Sequence, residues 1–572
     1  TAAVTLSGAA DIEFEIGEIE LGQAFATAIL KDERRAHQCE HGPHDAEAVS
    51  PNPHGSILKH TRPLADEKTS GRAERPKARQ MANFDPQLIQ ECDAGIRAGQ
   101  VASVKERLAG INSAQVPREY RLPLANLCRR VALNEMAMRL LAPVINEARE
   151  GLGEPASQGE LAEYAVLLQR FGVIDESMKI LKGISHLDVP ETLLFQAFCH
   201  FNRWEYFESV SLLQSYVQKQ LDPYKKLIGE VNLAAALTTT VAFTEALPLL
   251  GRLIEQTGRE GHRRLQANAY EIRSQIHLSE NAYDAAEADL NEAHRILAGD
   301  GTVAELSTLK WRAVLGACRT GDTRELREFR GRAVEFGDWE AVRHSDLNLL
   351  RFDFEETLFN YHLFGSPWQG YRDIAQRNLG RVIVTEHFDY GTPGGRVIDV
   401  TAAKLDGADA FPAGSKLHRA LATLARDFYR PVPVGVMFNA LFPGEFYDVF
   451  SSPNRVHQVL FRLRKWAGEN GLGFEIDHGK DGYQLRMIEP LVLRVPYEKK
   501  DPDSNKELLR QLHRGDLREE LFGAQDCAGH LKISLAAARK FLTWAVENDM
   551  IIKTGAGSGT RYQLKTKLAR AG

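Results

Sequence analysis

The chain has 572 residues, enough for three or four domains at about 100–200 residues each. Hydrophobic residues make up 43% and charged residues 26%, a globular balance that excludes a collagen, a mucin or a wholly disordered polymer. The net charge of −6 is unevenly spread: from Arg381 onward there are 28 Lys+Arg and 23 Asp+Glu, against 43 and 54 in residues 1–380, so a mildly basic end, suited to a polyanion, follows an acidic body.

Residues 1–80 read as a leader, expected to be disordered. Pro, Gly, His, Glu and Lys crowd Arg35–Gln80, and the first methionine, Met81, directly precedes the first helical pattern, an expected natural start. The leader holds His37, Cys39, His41, His44, His54 and His60, but no regular pattern brings these zinc-type ligands together, so neither metal nor cofactor is expected. Asp11, Glu13, Glu15, Glu18 and Glu20 stand where a secretory signal needs basic and then apolar residues. The most apolar run, Leu233–Leu250, is interrupted by threonines and Glu245, so no membrane span is expected. The six cysteines form no CxxC pair, which points to a reducing, cytoplasmic compartment.

From Met81 to Gly380 apolar residues recur at helical spacing. Within this stretch a four-residue signature repeats: Ile174, Ser177, Leu181, Ile184; Tyr206, Ser209, Leu213, Tyr216; Phe243, Ala246, Leu250, Leu253; Tyr283, Ala286, Leu290, Ala293. The small second position, with Leu326 as a looser fifth copy, lets a paired helix approach closely. This pattern resembles tetratricopeptide repeats and predicts an α-solenoid of helical hairpins over 81–378. First helices of such hairpins line a concave groove, and Gln196, Asn232, Tyr270, Arg273 and Arg312 are the candidates there for a peptide or protein ligand.

After Gly380 the pattern changes. Arg381–Glu386 and Arg396–Thr401 are β-branched and alternating, joined by the turn Tyr390–Gly395, which predicts a hairpin. A helix capped by Ser415 follows, then a short one over Val434–Leu441. Ser452 as N-cap and Pro453 as N1 start a third, with Val456, Leu460 and Leu463 buried and Asn454, Arg455, Gln458, Arg462, Arg464 and Lys465 outward or flanking. Phe474–Asp477 and Tyr483–Arg486 then form a wing around a turn carrying Lys480. Charge runs on helices are usually solvated faces, but within this order of elements the third helix fits a major groove. The Val459–Lys465 ending and the Gly482-Tyr-Gln-Leu485 strand resemble the OmpR/PhoB-type winged-helix domain of bacterial transcription regulators. That family joins its DNA-binding domain to a phosphoacceptor receiver, and no receiver pattern occurs here; the chain also resembles regulators that couple a winged helix to tetratricopeptide-like repeats.

A Pro- and charge-rich linker is expected within 491–504, and 505–572 reads as a second winged helix. Its helices are Lys506–Gly515, Ala524–Leu531 and one capped by Ser534, with Arg539 and Lys540 outward and wing strands around Gly555–Gly559. A glycine loop between two strands is a wing tip rather than a phosphate cradle. No GxxxxGK[ST], HExxH or GxSxG occurs, so an enzyme is not expected. The expected architecture is therefore mainly α: a solenoid over 81–378, then winged-helix (α+β) domains at 379–490 and 505–572. The expected function is sequence-specific binding of double-stranded DNA, as a homodimer, by a transcription regulator whose repeats sense a ligand. The alternative is a non-enzymatic scaffold that uses both parts for protein contact.

Overall fold

The structure, a computed structural model, describes residues 84–497 apart from 98–99, 300–302, 384, 480 and 489. Beyond these it describes single positions between 505 and 512, and 521–564 apart from 532, 548–549 and 556. The leader with its His/Cys cluster, Lys480 and most of the expected 506–515 helix lie outside the described residues.

The first part is a run of helices, α1 packed on both α2 and α3 and each packed on the next from α3 onward: α1 (Gln87–Arg97), α2 (Val101–Ala109), α3 (Arg118–Arg130), α4 (Asn134–Glu150), α5 (Gln158–Arg170), α6 (Ile174–Lys182), α7 (Glu191–Phe201), α8 (Tyr206–Lys219), α9 (Pro223–Thr239), α10 (Phe243–Glu260), α11 (Arg263–Ser279), α12 (Tyr283–Leu297), α13 (Val303–Thr320) and α14 (Arg324–Phe336). The repeated signature lands on the second helix of each hairpin, starting at the first residue of α6, α8, α10 and α12. Its small position is fully buried in every copy: Ser177, Ser209, Ala246 and Ala286. The Ser177 hydroxyl donates to the Ala165 carbonyl of the facing helix at 2.6 Å. The hairpin turns share one device. A single residue adopts positive φ (Ala132, Gly172, Trp204, Val241, Asn281), and the next N–H donates to the carbonyl five residues back, as Val173 does to Leu168 and Ala242 to Leu237. No described helix is long and apolar enough to cross a membrane.

Three more helices, α15 (Trp339–Phe352), α16 (Glu356–Phe364) and α17 (Gln369–Leu379), complete the helical part. Leu347, Leu350, Phe359, Leu363 and Tyr371 share one buried cluster with apolar residues of α5–α11. Next come β1 (His387–Gly391), β2 (Arg396–Asp399), β3 (Lys404–Leu405), β4 (Ala408–Asp409), α18 (Lys416–Leu424), α19 (Val434–Leu441), α20 (Ser452–Glu469), β5 (Phe474–Gly479), β6 (Gly482–Met487) and β7 (Leu491–Pro496). The last described elements are α21 (Ala524–Leu531), α22 (Leu535–Glu547), β8 (Ile551–Thr554) and β9 (Arg561–Leu564). They enclose a small core of their own, around Phe522, Cys527, Phe541 and Leu542.

Two expectations need correction. The first strand is His387–Gly391 rather than 381–386, and it does not pair with β2. The five-stranded sheet has the order β1-β7-β2-β3-β4, with β7 antiparallel to β1 and parallel to β2. Residues 491–496, read as the start of a linker, are therefore an inner strand. Leu491, Val492, Leu493 and Val495 are buried on both faces, and such a strand reads as a continuous apolar run rather than an alternating one.

The sheet and α18–α20 do not stand apart from the repeats. Cys92, Leu127, Leu141 and Leu168 of the first helices share one hydrophobic core with Leu421, Phe438, Leu460 and Leu493. The α5–α6 turn meets α19 through two glycines. A Cβ on Gly435 would fall 2.1 Å from the Phe171 carbonyl, and one on Gly172 would fall 2.4 Å from Val436 Cγ2. The α19–α20 loop is tied down nearby: Asn146 Nδ2 donates to Asp448 at 3.0 Å, Tyr164 to the Tyr447 carbonyl at 3.2 Å, and the Tyr447 N–H to Glu176 at 3.0 Å.

A second set of contacts seats the α18–α19 loop on α15–α17. Arg343, 1% exposed, donates through Nη2 to both Asp427 oxygens at 2.7 Å and through Nη1 to both Glu340 oxygens at 2.7 and 2.6 Å. The Tyr429 hydroxyl donates to Asp346 at 3.0 Å and lies 3.1 Å from His362 Nδ1, while the Tyr371 hydroxyl lies 2.9 Å from His362 Nε2. The Phe428 N–H donates to the Gly365 carbonyl at 3.0 Å. Arg372 and Gln376 of α17 hold Tyr497 just past β7. The segment is thus held by α4–α6 on one side and α15–α17 on the other.

Removing Arg343 leaves Asp427 and Glu340 as uncompensated carboxylates, so Arg343→Met is expected to destabilise by about 3–5 kcal/mol in urea unfolding. Adding Asp427→Asn to Arg343→Met is expected to recover part of that loss. Burial, and secondarily the Arg343 charge, push His362 down to about 3, against 6.5 for a free imidazole. The unfolded chain therefore binds a proton that the folded chain refuses. The associated stability is complete above pH 6.5 and is lost as pH falls from 6.5 toward 3. Between pH 7 and pH 5 wild type is expected to lose about 2 kcal/mol more than His362→Gln, read as the difference between their urea midpoints.

Candidate nucleic-acid interface

α20 opens with Pro453 in its first turn, where the missing N–H is no loss. Val456, Val459, Leu460, Leu463 and Ala467 face the shared core, which leaves the opposite side to solvent. No Asp or Glu occurs from Ser452 to Gly468, so that exposed side is basic and polar.

The expected contact residues have different surroundings. Asn454, Gln458 and Arg462 are exposed and make no side-chain hydrogen bond or ion pair among the described residues. Arg455 lies over the Phe442 ring at 4.0 Å and pairs with Glu445 at 2.7 Å; this hydrogen bond holds the Glu445 carboxyl below its usual range. Arg464 donates to the Ile476 carbonyl at 2.6 Å and so ties α20 to β5. Lys465 approaches Glu469 at 3.7 Å, an exposed pair of little energetic weight. Lys480, in the turn between β5 and β6, lies outside the described residues. Arg539 and Lys540 are exposed on α22, whose N-terminus is capped by Ser534 accepting from the Ala537 N–H at 3.2 Å.

The β5–β6 hairpin stands beside α20 and is held by rings. His478 stacks on Tyr483 at 4.5 Å between centroids, and His457 meets His478 at 5.2 Å and Tyr483 at 5.7 Å. Burial, followed by the charges of His478 and Arg464, lowers the His457 pKa and favours its neutral form. Arg486 is neutralised by Glu475 and Asp477 on the hairpin itself. His457 and Phe461 stand out only in the structure, while Tyr483 reads from the sequence as a wing-strand residue and not as a ring partner of α20. Phe461 is 67% exposed although a phenylalanine in a helical pattern reads as core; its offset of seven from Asn454, already placed outward, is the signal that finds it.

The repeat-groove candidates do not form one open lining. Asn232 is fully buried and donates to the Ile228 carbonyl of its own helix at 2.9 Å. The whole of α9 from Leu227 to Thr239 is buried, so Asn232 has no open side. Arg273 is committed to Asp289 in a two-point pair at 2.8 and 2.6 Å, and its guanidinium lies 5.6 Å from the Tyr270 ring. Gln196 and Tyr270 are half-buried, and Arg312 is exposed.

No family model matches the chain, and no curated protein matches it. Among solved structures, it is similar to a Rap protein complexed with competence and sporulation factor, with 13% identity and a TM-score of 0.36 over 48% of this chain and 85% of that one. It is also similar to the apo form of RapI, with 13% identity and a TM-score of 0.33 over 48% of this chain and 84% of that one. The helical-repeat description above rests on this chain's own hairpins.

Proposed function

We propose that residues 385–497 form a winged-helix module of the OmpR/PhoB type that binds double-stranded DNA through α20, and that the chain is a transcription regulator whose helical repeats sense a ligand or protein partner. One observation carries this reading: the exposed side of α20 has no acidic residue through Gly468, presents uncommitted Asn454, Gln458 and Arg462, and stands beside a two-stranded hairpin. A helix with such a face supplies both Coulombic attraction to phosphates and side chains able to reach base edges. Residues 521–564, with Arg539 and Lys540 outward, form a second and smaller winged helix in this reading. One module buries little surface on DNA, so paired half-sites and a homodimer are expected. A ligand acts by binding one arrangement of the repeats better than another, which α4–α6 and α15–α17 then pass to the module they hold.

The scaffold alternative draws on Phe446 and Phe450, exposed at the α19–α20 loop, where a protein partner would cover them. Selection of bound sequences from random duplex DNA by the full-length protein separates the two readings. The regulator enriches a defined sequence and loses affinity steeply with salt; a scaffold enriches none. On the enriched duplex, Arg462→Ala is expected to weaken binding by ~1–3 kcal/mol and relax preference at one base pair. Equal loss on random DNA would reassign Arg462 to the phosphate backbone.

A further inference from the structure

At about 100° per residue, Asn454, Gln458, Phe461 and Lys465 fall within one narrow stripe along α20. Arg455 and Arg462 lie together on one flank of that stripe, and His457 and Arg464 on the other. Phe461 is thus central on the outward face, opposite the buried line Val456, Leu460 and Leu463. Its ring is 67% exposed, where an apolar side chain gains nothing from water. Arg462 on the flank and Lys465 in the stripe carry the exposed positive charge, since Arg455 pairs with Glu445, Arg464 donates to the Ile476 carbonyl and His457 favours its neutral form; in a major groove the central stripe faces the floor. In the major groove the only apolar group that a base edge presents is the thymine C5-methyl.

From this placement we infer that Phe461 determines specificity by packing its ring against a thymine methyl, between the base contacts of Gln458 and the flanking Arg462. The inference rests on the DNA-binding reading and goes beyond it in naming the chemical group recognised. No hydrogen bond is involved, so the contact discriminates thymine from every base that lacks the methyl. It acts beside the polar contacts rather than through them. Exposure also means that removing the ring takes no core contact away from α20.

The test uses the full-length protein and the duplex it enriches from a random pool. Each thymine is replaced in turn by deoxyuracil, which deletes the methyl and leaves base pairing intact. Wild type is expected to bind one of these duplexes roughly three- to tenfold more weakly, the scale of one buried methyl group. Phe461→Ala is expected to bind the parent duplex with a similar loss and to show no further penalty from that same deoxyuracil. Phe461→Leu, which keeps an apolar contact, is expected to retain part of the penalty. The inference is overturned if wild type is indifferent to every deoxyuracil, or if the penalty persists unchanged in Phe461→Ala; the ring then belongs to a protein contact. Selection that enriches no duplex at all sinks the DNA-binding reading as well, so the two failures are distinguishable. Circular dichroism of each variant shows whether the fold is kept.

Discussion

The arrangement of the described helices around the 385–497 segment depends on one buried cation. Arg343 projects from α15 with 1% exposure and satisfies two carboxylates, Glu340 one turn away on its own helix and Asp427 in the α18–α19 loop. A guanidinium out of water is tolerable only when its charge and donors are met, and it offers a fixed planar fork. The loop must therefore sit where Asp427 completes that fork. Burial pushes the Glu340 carboxyl up, while the Arg343 charge pulls it back toward ionisation, so each partner depends on the other. Tyr429, two residues beyond Asp427, then enters the cluster of Trp311, Phe329 and Leu349 with its hydroxyl on Asp346.

With that loop fixed, the rest of the segment has little freedom. Its opposite side is seated by Gly435, whose backbone meets the Phe171 carbonyl, by Gly172 against the Val436 side chain, and by the Asn146–Asp448 and Glu176–Tyr447 bonds. α20 lies between these two attachments with its apolar side in the shared core. Its remaining side has nowhere to point but outward. The exposure of Asn454, Gln458, Phe461 and Arg462 follows from the seating, and so does the tie between α20 and β5 through Arg464.

Local features of this fold were legible in the sequence because local chemistry produces them. Ser415 caps α18 by accepting from the His418 N–H, and Val434–Leu441 is bounded by Pro433 and Pro443. The hairpin signature appears because each second helix needs a small residue where its partner crosses. Long-range features left no such mark. β7 pairs with β1 across about a hundred residues, and its run Leu491-Val-Leu-Arg-Val495 between Pro490 and Pro496 carries no strict alternation to announce a strand. The partnership of Arg343 with Asp427 spans 84 positions, and in sequence each is an ordinary charge on a helix or loop. Within the candidate site, charge drew attention to Arg455, Arg464 and Lys465, yet Arg455 is committed to Glu445 and Arg464 to a backbone carbonyl. Phe461 belongs to neither the buried stripe nor the polar outward set read from the sequence, because that outward set is chosen by charge and hydrogen-bonding capacity and an exposed ring carries neither.

The charge distribution adds a constraint on how a polyanion could approach. Residues 1–380 carry eleven more acidic than basic side chains, so this part of the chain has a net negative charge that disfavours phosphate. Within the Debye length of about 8 Å at physiological salt, the field at α20 is set by its own neighbours: Arg455, Arg462, Arg464, Lys465 and, less favourably, Glu445 and Glu469. An acid-free stretch of helix on an otherwise acidic body acts as a selector of orientation. In the DNA-binding reading proposed above, a duplex is favoured along this one line, and the polar and aromatic centre of the helix is what would meet the bases. Weak overall attraction is an advantage in such a design, because discrimination between sequences then falls to the few groups at the centre of the helix.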